Sequence, residues 1–103
     1  MPLYVMATEL SADRQSDPKT LELLEKQVEE KIEEICPNID WIGNYALFGP
    51  YNYLDIFHAP DAETAMKVVT LVRTFGHGRT ELWPAIDWSN FKSIVRSMPR
   101  AAV

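Results

Sequence analysis

The sequence predicts an α+β fold: four strands and two helices in the order β-α-β-β-α-β, followed by a short C-terminal helix. Three observations carry this. Apolar residues recur at steps of three and four through Leu21, Leu24, Val28, Ile32 and Ile35, and again through Ala65, Val68, Val69, Val72 and Phe75, which marks two amphipathic helices. Short stretches rich in β-branched and aromatic residues flank these helices, and Gly49-Pro50-Tyr51-Asn52 makes a tight turn between two of them. The two stretches least suited to a sheet interior, one with Gly43 and Asn44 and one with Pro84, are the two that this element order places at the sheet edges.

Taken in order, Leu3 to Thr8 forms the first strand, with Leu3, Val5 and Ala7 on one face and Tyr4, Met6 and Thr8 on the other. Glu9 to Ser16 is polar and reads as loop. Asp17 caps the first helix and Pro18 fits its first position, where no amide donor is needed. The outer face of that helix carries Glu22, Glu25, Lys26, Glu29, Glu30, Lys31, Glu33 and Glu34, the mixed charge of a solvated surface, with pairs such as Glu22 and Lys26 attracting each other one turn apart. Pro37 ends it. Ile39 to Phe48 is the second strand, and Pro50 suits the second position of the turn that follows. Tyr53 to Ala59 is the third strand. Asp61 caps the second helix, Glu63 lies near its positive end, and Gly76 closes it after Phe75. Gly78 to Ile86 is the fourth strand, and Trp88 to Met98 the last helix, with Phe91, Ile94, Val95 and Met98 on one side.

With right-handed crossovers these elements give the ferredoxin-like arrangement, an antiparallel sheet in the order 4-1-3-2. Two helices cover one sheet face and leave the other bare. A bare face carrying Tyr4, Met6, Tyr53 and Phe57 is a large apolar patch, to be covered by another copy of the chain or by the C-terminal helix.

Composition bounds the function classes. At 103 residues the chain has the length of one domain, residues 1–103, and 47% apolar with 24% charged residues is a globular balance. A net charge of −5 argues against nucleic acid as a partner, and the sheet aromatics lack the basic surroundings that RNA binding needs. No apolar run approaches the roughly 20 residues that span a bilayer, and the N-terminus has no signal-peptide pattern. The lone Cys36 forms no intrachain disulfide, which fits a reducing, cytoplasmic setting; beside Glu33 and Glu34 at a negative helix end it is expected to stay a thiol.

Gly49, Tyr51, Ala59-Pro60-Asp61 with Glu63-Thr64-Ala65, and Arg79-Thr80-Glu81 together resemble the GYD-domain family of the dimeric α/β-barrel superfamily, over most of the chain. The resemblance implies a ferredoxin-like subunit that pairs through its open sheet face into a dimeric α/β barrel. It implies no particular activity. Two departures stand out: Asn52 replaces the Asp of the family's Gly-x-Tyr-Asp, and Asp55 occupies a position that is usually apolar. Trp83-Pro84-Ala85-Ile86-Asp87-Trp88 resembles a subgroup extension.

Asp55 is the charge that most needs explaining. If Leu54 and Ile56 face the helices, Asp55 shares the open face with Tyr53 and Phe57; if Leu82 also faces the helices, Glu81 and Trp83 join it. Two strand spacings put Asp55 and Glu81 on the order of 10 Å apart. The expected ligand-binding set is therefore Tyr53, Asp55, Glu81 and Trp83, with His77 at the rim, and Asp55 is the candidate for acid/base catalysis because burial raises a carboxylate pKa. A salt bridge from Asp55 to Arg79, or a polar contact across a subunit seam, accounts for the same charge without a ligand. His58 ends the third strand and His77 begins the fourth at the opposite end of the sheet, roughly 20 Å away, so no metal site is expected within one subunit. No phosphate loop, cysteine pair or serine elbow signals a cofactor or nucleophile. Two functions follow: a homo-oligomer binding a small polar or aromatic molecule on the open sheet face, or an interaction module whose open face is fully packed at the dimer seam. A cavity beside Asp55 distinguishes them.

Overall fold

Alternation along a strand and register between strands decide which side chains share a face, and here the register settles what alternation alone left open. The computed structural model describes residues 1–11, 18–76 and 78–101. Its elements are β1 (Leu3–Leu10), α1 (Pro18–Ile35), β2 (Asp40–Ala46), β3 (Tyr53–His58), α2 (Ala62–Gly76), β4 (Gly78–Ala85) and α3 (Trp88–Ser97). The strands lie in the order β2-β3-β1-β4, every pair antiparallel, which is the expected ferredoxin-like sheet. The strands carrying Gly43 and Pro84 are its edges. The cap expected at Asp17 lies outside the described residues.

On β1, Tyr4, Met6 and Thr8 pair with Phe57, Asp55 and Tyr53 of β3 and with Pro84, Leu82 and Thr80 of β4. This is the face under the helices. Phe57 is 0% exposed and packs with Tyr4, Met6, Val68, Val69 and Ile32; its ring lies 5.9 Å from that of Tyr4 and 5.2 Å from that of Trp41. The open face carries Val5, Ala7, Leu54, Ile56, Glu81 and Trp83 instead. The expectation for β3 and for the bare face is therefore inverted. Both faces of β1 and β3 are apolar, so alternation fixes the two sets but not which set is inside; the bulkier set, with Phe57 at its centre, fills the space beneath the helices.

β1 runs two residues further than expected, because Glu9 and Leu10 still pair with Arg79 and Gly78. Asn52 supports this extension from the hairpin turn. Its N–H donates to Thr8 O and its side-chain oxygen accepts from Leu10 N–H, both at 2.8 Å. Gly49, with φ of 121°, takes the left-handed backbone that favours glycine.

The two main helices sit differently. α2 packs directly on β1 and β4, and Arg73 near its end donates through Nε to Thr80 Oγ1 and through Nη2 to Thr80 O, both at 2.7 Å. Its start is capped as expected, Asp61 Oδ1 accepting from Thr64 N–H at 2.7 Å. α1 packs mainly against α2 rather than against the sheet, with Val28 close to Gly76, where a Cβ would lie 3.3 Å from Val28 Cγ2. A space is thereby left between α1 and the half of the sheet formed by β2 and β3.

α3 buries none of its residues, and Trp88, Phe91, Ile94, Val95 and Met98 stay exposed. It does not cover the open sheet face of its own chain. Among the described residues no helix is long and apolar enough to cross a membrane.

Candidate functional site

The space beneath α1 is a cleft of about 420 Å³. Its floor is the helix-side face of the sheet: Met6 and Thr8 of β1, and Tyr53 and Asp55 of β3. Leu21, Leu24, Val28 and Ile32 of α1 form one wall, Trp41 and Asn44 of β2 the other, and Val72 and Gly76 of α2 close the back. The same apolar stripe that makes α1 amphipathic thus lines the cleft.

A β-bulge builds the polar end. Trp41 and Asn44 are three residues apart, so in a regular strand they would face opposite sides. The register shift between Trp41 and Gly43 inserts one residue, keeping Trp41 opposite Phe57 while bringing Asn44 opposite Asp55. Asn44 Nδ2 then donates to Asp55 Oδ1 at 2.6 Å.

Burial beneath α1 pushes the Asp55 carboxyl above its ordinary range; the Asn44 hydrogen bond pulls it partly back, and the negative charge of Glu25 adds a further upward push. The Tyr53 hydroxyl is also pushed up, first by burial and then by Glu25 and Asp55. Thr8 is 3% exposed, and its hydroxyl has no hydrogen-bond partner among the described residues. Glu25, Glu29 and Glu33 stand along the rim. A half-buried polar floor under apolar walls can orient a small molecule, and a carboxyl with a raised pKa can exchange a proton with it.

The five expected binding residues do not form one pocket. Tyr53 and Asp55 come together in the cleft. Glu81 and Trp83 lie on the opposite sheet face, where the Tyr51 hydroxyl donates to the Glu81 carboxylate and the Tyr51 ring meets Trp83 edge-on at 6.1 Å. His77 lies outside the described residues. Arg79 shares the face of Glu81, so the Asp55–Arg79 salt bridge is ruled out by the register. His58 holds the N-terminal segment, its Nδ1 lying 2.9 Å from Met1 O. No group of three metal-ligating side chains occurs among the described residues. Cys36 is buried, and that burial raises its pKa while Lys67 pulls it partly back; Glu33 and Glu34, expected to contribute, are not among the causes.

Sequence reasoning missed Thr8, Glu25, Trp41 and Asn44 as site residues. Asn44 had a legible signal: a glycine in a strand marks a possible bulge, and a bulge re-aims the next side chain. The sequence matches the GYD domain over residues 4–95. The chain belongs to the GYD-domain family.

The structure of this GYD-domain protein is similar to that of muconolactone isomerase, with a TM-score of 0.56 and 15% identity over 82% of this chain and 88% of that one. It is also similar to the protein At3g17210 from Arabidopsis thaliana (TM-score 0.53, 12% identity, 84% and 95% covered) and to a transcriptional regulator (TM-score 0.57, 15% identity). The chain spans only 51% of the regulator's length, though 84% of its own length is covered. At these identities the likeness shows the fold, that of the dimeric α/β-barrel proteins. No curated protein matches the sequence. The family's signature Asp is Asn52 in this GYD-domain protein, and the hydrogen bond from Leu10 N–H requires of that side chain only an acceptor oxygen.

Proposed function

We propose that this GYD-domain protein is a homo-oligomer that binds a small molecule in the cleft between α1 and β3, with Asp55 as its central polar group. The observation that carries this reading is the cavity beside Asp55, about 420 Å³ and mostly apolar, into which a few polar groups converge. Ligand pockets have this character and fall at roughly 300–1,000 Å³. The bulge that brings Asn44 to Asp55 is consistent with it, because bulges re-aim side chains beside binding sites as well as blunting edge strands such as β2.

This reading puts the pocket on the helix side and gives the open face to self-association. Val5, Leu54, Ile56 and the 43% exposed Trp83 form an apolar surface there, and the unburied apolar side of α3 adds to it. Asp55 is also the group to act as acid or base if the bound molecule is turned over, since its raised pKa lies closer to neutrality than that of an exposed carboxylate.

The test is an amide NMR titration of the assembled protein against a library of metabolite-sized compounds. Hits are expected to shift Asn44, Tyr53 and Asp55. Hits confined to Leu54, Ile56 and Trp83 would move the site to the open face, and the absence of any hit would favour an interaction module.

A further inference from the structure

We propose that the cleft selects a cation with an apolar body, an organic amine rather than a carboxylate or phosphate. This deepens the small-molecule reading and rests on it. The ionisable side chains of one sign that line the cleft are Asp55 on the floor and Glu25, Glu29 and Glu33 along the rim, and no Lys, Arg or His lines it among the described residues. A cleft of one sign with low-dielectric walls focuses its field on the ligand.

The hydrogen-bond inventory points the same way. Asp55 only accepts when ionised, and Asn44 already gives one amide hydrogen to its Oδ1. An ammonium group supplies donors and charge together; an incoming carboxylate brings more acceptors to a site already rich in them. Trp41 and Tyr53 in the lining also favour a cation, since an aromatic ring attracts one through its quadrupole. Beyond the polar end, Leu24, Val28 and Ile32 offer only apolar contact.

Three probes of one shape separate the possibilities: 2-phenylethylamine, 2-phenylethanol and 3-phenylpropionate, titrated into the assembled protein at neutral pH and followed by amide NMR. The amine is expected to shift Asn44, Tyr53 and Asp55 and to bind about tenfold more tightly than the alcohol, the ratio expected of one charge-assisted hydrogen bond. Asp55→Asn should remove most of that preference while leaving alcohol binding nearly unchanged. Glu25→Gln, at an exposed rim position, should weaken the amine about twofold and keeps the test valid if the Asp55 variant does not assemble. Equal or tighter binding of the alcohol or the propionate at the same residues would overturn the cation inference and leave the cleft as a ligand site. No shift in the cleft from any of the three would overturn both.

Discussion

Thr8→Val is the substitution that tests most directly whether the sheet beneath α1 holds an unsatisfied polar group. Both residues are β-branched, so strand propensity and rotamer freedom change little. The Thr8 methyl already lies against β4, its Cγ2 only 2.8 Å from where a Gly78 Cβ would begin, so the new methyl replaces the hydroxyl alone. That hydroxyl is nearly fully buried and unpartnered. A buried, unsatisfied polar group costs about 1–3 kcal/mol, and an apolar group of the same shape removes that cost. The unliganded variant should therefore be more stable than the wild type by about 1–3 kcal/mol. In urea its midpoint should rise by about 1 M at unchanged slope, with protein concentration held fixed because assembly contributes to stability. A stability lowered by more than about 1 kcal/mol would mean that the hydroxyl is bonded in the free protein, and the reasoning fails.

Other perturbations reach the remaining parts. The Asp55 carboxyl is held above its ordinary value of 3.8, so the native state binds that proton more tightly than the unfolded chain. Its contribution therefore lowers stability as pH rises through the raised range, and Asp55→Asn should show a higher urea midpoint than the wild type at neutral pH, with the gap narrowing toward about pH 4. A gap that widens on acidification would contradict the direction of the shift. Asn52→Ala removes the acceptor for Leu10 N–H and should cost about 1–3 kcal/mol in thermal unfolding, whereas Asn52→Asp keeps an oxygen there and should retain most of the stability. Equal losses would show that the side-chain oxygen is not what matters. Ile56→Lys puts a charge on the open face, where burial in a seam costs several kcal/mol, so light scattering should show the variant as a monomer. An unchanged mass would place self-association elsewhere.

Element order, the edge strands and the Asp61 cap were legible because each rests on local chemistry: helical spacing, a proline that cannot donate, a carboxylate beside free amides. The facing of the sheet was not. Leu54 and Ile56 have the composition of a core, and so do Tyr53 and Phe57; only the packing of Phe57 against Tyr4 and Trp41 under the helices tells them apart. That one inversion moved Asp55 and Tyr53 into the cleft and left Glu81 and Trp83 on the other side. The cleft itself depends on how far α1 stands from β2 and β3, a tertiary spacing that no local pattern states, although the lack of a side chain at Gly76 lets Val28 of α1 approach α2 closely at the back of the cleft. In sequence Asn44 weakens its strand, whereas the bulge beside Gly43 makes it the partner of Asp55.

The most direct measurement is a crystal structure of the assembled protein grown with 2-phenylethylamine. The cleft account predicts density between α1 and β3, with the ammonium nitrogen within hydrogen-bonding distance of Asp55 and the ring against Leu24 and Val28. An α1 that closes onto β2 in the assembly and fills this space with its own side chains would contradict it.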